Sequence, residues 1–260
     1  MSERLVSQRT PRGTDGAKLR KWAFLFVTAG VVGRAILQNS LLGVNILSGE
    51  EMMALLNSNS AAMTILTAAL VCQLAQTCAA PLFAMLLVEG FRHTAHFEKY
   101  LIRVGVLALV CELPYNFAMD GKLFALSSRN PVFGLLICLV MLFFFNRYCD
   151  KSLKNTAMKA LIFAAAFLWC RMLNVEHGVC LVIFVAVLWY AREKSNARAM
   201  LAFCGAMACT LFDMYYIAAG LACIMLHRYT EERGEQNAAF NYAFYPVLLL
   251  AVGIAAKFLS

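Results

Sequence analysis

Residues 80–119 read APLFAMLLVEGFRHTAHFEKYLIRVGVLALVCELPYNFAM, two apolar runs that meet across a short segment of histidines, lysine and arginine. Neither run alternates polar and apolar residues, so neither reads as a half-buried strand. The second is about 20 residues long, the length of a helix that crosses the hydrocarbon core of a bilayer. Working outward, similar apolar segments cover 22–43, 61–91, 100–119, 131–148, 157–173, 178–191, 198–212, 214–228 and 240–258. In hydrocarbon every backbone polar group must be satisfied by the protein itself, which leaves only helices and closed barrels. Barrel strands would alternate over runs of about ten residues. The sequence therefore predicts an all-α fold, a polytopic transmembrane helical bundle of about eight or nine spans.

Composition points the same way. The chain of 260 residues is 62% hydrophobic and 15% charged, against roughly 45–50% and 25% in soluble domains. Its net charge of +8 does not indicate a nucleic-acid partner, because the basic residues lie in short clusters between apolar segments. There they orient helices and meet anionic lipid. The ten cysteines fall almost entirely within apolar runs, without a C-x-x-C pair or zinc-like spacing, and read as small buried hydrophobes. No metal is expected. Residues 1–21 (MSERLVSQRTPRGTDGAKLRK) are polar and basic, and are expected to be a disordered cytoplasmic tail. Residues 22–260 would then form a single transmembrane domain. The run 61–91 is long for one span and holds Pro81, which predicts a kink or a separate interfacial turn. The seventh and eighth segments are short and meet at Asp213, so they are two short spans or one broken one.

A cytoplasmic N-terminus places nearly all loop lysines and arginines inside and leaves Lys122, Arg129 and Lys257 outside, as the positive-inside rule requires. The expected setting is a bacterial-type cytoplasmic (plasma) membrane, with the lipid bilayer as first partner. No repeat of the inverted-transporter type is evident.

Ionisable groups inside spans are costly and normally face a protein interior or a wet cavity. The intramembrane polar residues are Arg34, Glu89, Arg103, Glu112, Tyr115, Asn116 and Asp213. Arg103 and Glu112 are nine residues apart and point to opposite sides of one helix. Each is therefore expected to face the interior with a partner of its own. Glu112 shares a face with Gly105, Ala108, Tyr115 and Asn116, beside Pro114. It reads either as a functional carboxylate or as half of a structural ion pair with an arginine such as Arg34. Glu89, His93 and His96 have the spacing of one helical face. With Arg92, Lys99 and Arg103 the histidines form a basic mouth suited to phosphates, or simply to lipid headgroups. Glu176-His177-Gly178 marks a tight outer turn. A histidine beside a carboxylate can act as a general base, although an exposed polar turn would look the same.

Pro81, Phe83, Glu89, Gly90, Phe91, Thr94, Lys99, Tyr100, Arg103, Glu112, Pro114, Tyr115, Asn116 and Asn130 fall on a recognisable pattern. It runs P-x-F-x-F-x-x-x-E-G-F-x-x-T, then K-Y-x-x-R-L, E-x-P-[FY]-[DN] and N-[VI]-F-x-x-L, and it resembles the TraX family. AFYPVLLL at 243–250 is similar to the family's closing F-Y-P-x-H-L, and Glu176-His177-Gly178 sits where the family often shows D-Y-G. The resemblance implies a membrane-embedded acetyltransferase that uses acetyl-CoA as cosubstrate and a pilin-like N-terminus or other membrane acceptor. It implies catalytic roles for Glu112, Glu176 and His177, and cofactor contacts from Arg92, His93, His96, Lys99 and Arg103. Two positions depart from the pattern. Gly30-Val31-Val32-Gly33 stands where the family's first helix carries Asp-His-Ile-Gly, and Leu248 replaces the closing histidine. A catalytically degenerate membrane scaffold is the alternative, and a small-molecule transporter a third.

Overall fold

The computed structural model describes residues 13–125, 127–148, 150, 152–192, 195–232, 234–235 and 237–259, and all regular elements among them are helical. Helix α1 (Gly16–Val32) starts where the Asp15 carboxylate accepts the Lys18 amide at 2.7 Å. The helix thus begins inside the segment expected to be a disordered tail. Residues 1–12 of that tail lie outside the described residues. At Gly33 the helix widens into a π-helix, Gly33–Leu41.

The run 61–91 is two helices, α3 (Ser60–Thr77) and α4 (Ala79–His93), which break at Cys78. Pro81 follows in the first turn of α4, where its missing N–H leaves no carbonyl unbonded. Ahead of α3 lies a separate short helix, α2 (Gly49–Ser58), closed by a reciprocal cap between Ser48 and Glu51. The chain continues through α5 (Phe97–Asp120), α6 (Pro131–Arg147), α7 (Leu153–Met172), α8 (Gly178–Ala191) and α9 (Ser195–Cys209). A 3-10 turn (Met214–Ala218) then leads into α10 (Ala219–His227), and α11 (Ala238–Leu259) closes the described chain. Among the described residues, five helical stretches can cross a membrane by length and composition, Gly16–Leu41, Ser60–His93, Phe97–Asp120, Leu153–Met172 and Ala238–Leu259.

Asp213 settles how the seventh and eighth segments relate. Its carboxylate accepts the Tyr215 amide at 3.0 Å and caps the 3-10 turn. Arg198 near the start of α9 pairs with Glu231 beyond α10, so the two segments run antiparallel. Helix α8 sits at the centre. Eleven of its 14 residues are buried, as expected of a helix that is apolar all round. Helix α7, with only Ala166 and Cys170 buried, is peripheral.

The bundle has two polar ends. At the N-terminal end the Thr14 amide donates to Arg228 O (2.8 Å), the Thr230 amide to Thr14 O (3.1 Å) and the Gly16 amide to Glu232 O (2.8 Å). At the opposite end Asn39 donates to Met119 O (2.8 Å) and Ser40 to Ala256 O (2.9 Å). There too the 127–130 loop pairs with the α7–α8 turn, through the Arg129 amide to Asn174 O (3.0 Å) and the Glu176 amide to Arg129 O (2.9 Å).

Gly30 and Gly33 let α1 lie directly on α3. A Cβ on Gly33 would stand 2.5 Å from Cys72 Cβ, and one on Gly30 2.4 Å from Gln76 Cβ. Close approach through small residues is the main route to helix association in lipid. Gly33→Val should therefore force the helices apart and cost about 1–3 kcal/mol, the scale of overpacking. Thermal unfolding in detergent should show a lowered midpoint for Gly33→Val and none for Gly49→Ala, since Gly49 has open space around it.

Candidate functional site

A polar cluster lies at the end opposite the N-terminus, and four separate parts of the chain build it. The π-helix contributes Arg34, which pairs with Glu176 in the α7–α8 turn. Helix α5 contributes Tyr115, fully buried, whose hydroxyl donates to Glu176 Oε2 at 2.7 Å and lies 2.9 Å from Ser128 Oγ. The turn is tightly formed: His177 takes a left-handed backbone (φ 56°), and a Cβ on Gly178 would meet Val175 Cβ at 2.8 Å. Burial pushes the Glu176 carboxyl up, but Arg34, His177 and the Tyr115 hydroxyl outweigh it and hold it below the ordinary carboxylate value.

Glu112, one turn before Tyr115, is held by a second set of groups. Arg129 donates to its Oε1 at 2.7 Å and the Asn130 side chain to its Oε2 at 2.7 Å. Asn130, with no exposed surface, also donates to Ala108 O (2.9 Å) and accepts the Val132 amide (3.0 Å), so it caps α6 while it anchors α5. Glu112 therefore pairs with Arg129, and Arg34 with Glu176. Sequence reasoning counted Arg129 only as a loop charge. Its signal was the adjoining Asn130 of the family pattern, one residue before a helix start.

His177 presents a different kind of group. Its Nε2 is buried and has no hydrogen-bond partner among the described residues, and the nearest Glu176 oxygen is 3.9 Å away. The ring meets Tyr216 edge-on, with centroids 5.8 Å apart, and the Tyr216 hydroxyl is likewise buried without a partner. His177 also lines a partly open cavity of about 120 Å³, whose other lining residues come from α1, α3, α4, α5, α6, α8 and α11. Ten of the 14 lining residues are apolar, and Gln76, Asn241 and Tyr245 supply the other polar groups. Phe24 walls one side, stacked on Phe244 at 4.3 Å.

The basic residues expected at the mouth lie at the N-terminal end. Arg92 and His93 both bind Glu89, at 3.0 and 3.2 Å, and Glu89 itself is buried. Helix α4 ends at His93, so His96 does not continue its face and instead precedes α5. Arg103, expected to face the interior, is exposed beside Ile102 and Val106, as is Lys99. It lies within two turns of the start of α5, near enough for a long side chain to reach the interface. Asn116 is buried next to Tyr115, with its Oδ1 unpartnered among the described residues.

Against this geometry, a family model described as "TraX protein" matches residues 22–256. A curated relative, "Probable fimbrial assembly protein FimC, serogroup H1" of Dichelobacter nodosus, is 28% identical over 203 residues, 69% of this chain and 80% of the relative. No solved structure matches significantly.

The Arg34–Glu176 pair has a measurable pH signature. A carboxyl with a folded pKa below its unfolded value stabilises the fold above the unfolded value and loses that contribution as pH falls through the folded one. Wild-type thermal stability should therefore fall on acidification below about pH 4.3. Glu176→Gln should flatten that slope and, at neutral pH, cost about 2 kcal/mol, less than a fully buried pair because Arg34 is partly exposed. Unfolding temperatures of both proteins across pH 3–7 would check this.

Proposed function

The chain is a multi-pass helical membrane protein of the TraX family, and from that premise we propose that it is an acyltransferase. In this reading it moves an acetyl group from acetyl-CoA to a membrane-associated acceptor such as a pilin-like N-terminus. The supporting observation is His177, a residue that lines a cavity and whose imidazole Nε2 is buried without a hydrogen-bond partner among the described residues. An orphaned polar atom in a buried place costs free energy unless a ligand takes it. The imidazole accepts the proton of the acceptor amine or hydroxyl as that atom bonds to the thioester carbonyl carbon. The carbon–sulfur bond then breaks, and the leaving thiolate of CoA receives the proton. Glu176 lies beside the ring to stabilise its cationic form, while Arg34 and Tyr115 fix that carboxylate in place. Glu112, held by Arg129 and Asn130, sets the position of the α5 segment that carries Tyr115.

The orientation belongs to the same proposal: nine crossings, an N-terminus in the cytoplasm and a C-terminus outside, in a cytoplasmic membrane. Arg92, His93, His96, Lys99 and Arg103 then face the compartment that supplies acyl-CoA, where cations suit its phosphates. Tags at Met1 and Ser260 should be accessible from opposite sides of the membrane. Tags on the same side would remove the nine-crossing arrangement.

A scaffold without catalysis is the second reading, and one observation favours it. Val31, at the place of the family's first-helix histidine, is buried in the apolar core, and Leu248 fills the place of the closing one. The relative's name, a fimbrial assembly protein, suits either reading. Proteoliposomes given labelled acetyl-CoA decide between them. Acyl transfer predicts CoA release that His177→Gln lowers by about 10²–10⁴-fold, the usual worth of a general base, with the unfolding temperature kept. Folded wild-type protein that releases no CoA would leave the scaffold.

A further inference from the structure

We infer that the cavity beside His177 is the acceptor subsite. It selects an amine or alcohol whose nucleophile is carried on an apolar body of about six non-hydrogen atoms, since a dry protein cavity of about 150 Å³ holds benzene. The inference rests on the acyl-transfer reading above and names the substrate class of that site.

A general base must lie within hydrogen-bond reach of the proton it removes. The acceptor atom therefore comes to the His177 imidazole, and the rest of the acceptor enters the space that His177 lines. That space is about 120 Å³, with ten apolar residues among its 14. An acetyl group brings one methyl and leaves most of it empty. The amide-bearing arm of a CoA thioester would leave polar groups against apolar walls, a cost of about 1–3 kcal/mol for each unpaired group. A compact apolar group suits it on both counts.

Two small residues set the size. Ala80, in the first turn of α4, and Val132, in the first turn of α6, are both buried on the wall. Phe24 and Phe83, with ring centroids 6.0 Å apart, also bound the space. Ala80 and Val132 are thus specificity-determining positions that leave the His177–Glu176 pair untouched.

The test is calorimetric titration of the purified full-length protein with ethylamine, hexylamine, octylamine and phenethylamine, in one detergent and without acyl donor. Hexylamine and phenethylamine should bind at least ten times more tightly than ethylamine, since each added methylene that enters an apolar site is worth about 0.8 kcal/mol. Ala80→Phe should abolish that preference. Val132→Ala, which keeps the fold by removing rather than adding atoms, should move the optimum toward octylamine. Equal affinity along the wild-type series, or a preference that neither substitution alters, would overturn the inference. Transfer from labelled acetyl-CoA to the same amines separates the two levels. Chain-length-dependent binding without any transfer would support the pocket and remove the acyltransferase reading. Transfer to ethylamine as fast as to hexylamine would keep that reading and overturn the subsite.

Discussion

Lipid offers no hydrogen bonds, and that one constraint decides where the polar side chains of this bundle sit. An arginine, two glutamates and a buried tyrosine lie in or next to apolar helices, and each has a partner from another part of the chain. The Arg34–Glu176, Tyr115–Glu176 and Arg129–Glu112 pairs all join residues far apart in sequence. Arg34 reaches the α7–α8 turn, and Glu112 reaches the loop before α6. The polar cluster therefore works as a clamp at one end of a bundle whose middle is held by packing. Elsewhere charges are handled differently: Arg103 stays on the outer surface of α5 near its start, where a long side chain can extend to the headgroups.

The two family positions that this chain lacks have a physical counterpart. Where the family's first helix carries an acid and a histidine, Gly30 and Val31 give close contact with α3 and a buried apolar side chain. A charged pair could not occupy the same space, because any Cβ at residue 30 already meets Gln76. The first helix thus packs through small and apolar residues, while the polar groups of this end gather at the α7–α8 turn. His177 lines the cavity together with the apolar Phe24 and Val27 of the first helix.

Much of this was legible in the sequence, for reasons of composition and period. Long apolar runs identified the helices, and the motif around Glu112, Tyr115 and Asn130 brought attention to α5 and the start of α6. The i, i+4 spacing of Glu89 and His93 became a contact of 3.2 Å. What sequence could not supply was pairing at a distance. Only the adjoining Asn130 separates Arg129, the partner of Glu112, from a topological charge, and nothing in Arg34 points to a residue far along the chain. Boundaries also moved wherever a cap outweighed hydropathy, as at Asp15, which starts α1 ahead of the apolar run. His96 fell off its expected face because α4 ends at His93, a stop that the i, i+7 spacing does not reveal.

The separation of Arg34 and Glu176 along the chain has a consequence for biogenesis. The two are 142 residues apart, so at synthesis rates of about 5–20 residues per second the arginine emerges roughly 7–30 s before its counter-ion. During that interval the first helical stretch carries an uncompensated cation near the end away from its N-terminus. It can remain there by leaning toward the headgroups or by borrowing an anionic lipid or a water-filled insertion channel. Its final seat between the helices forms only once the α7–α8 turn has been made. The clamp is thus a late assembly event, and a nascent chain halted before residue 176 would hold its first helix in a provisional position.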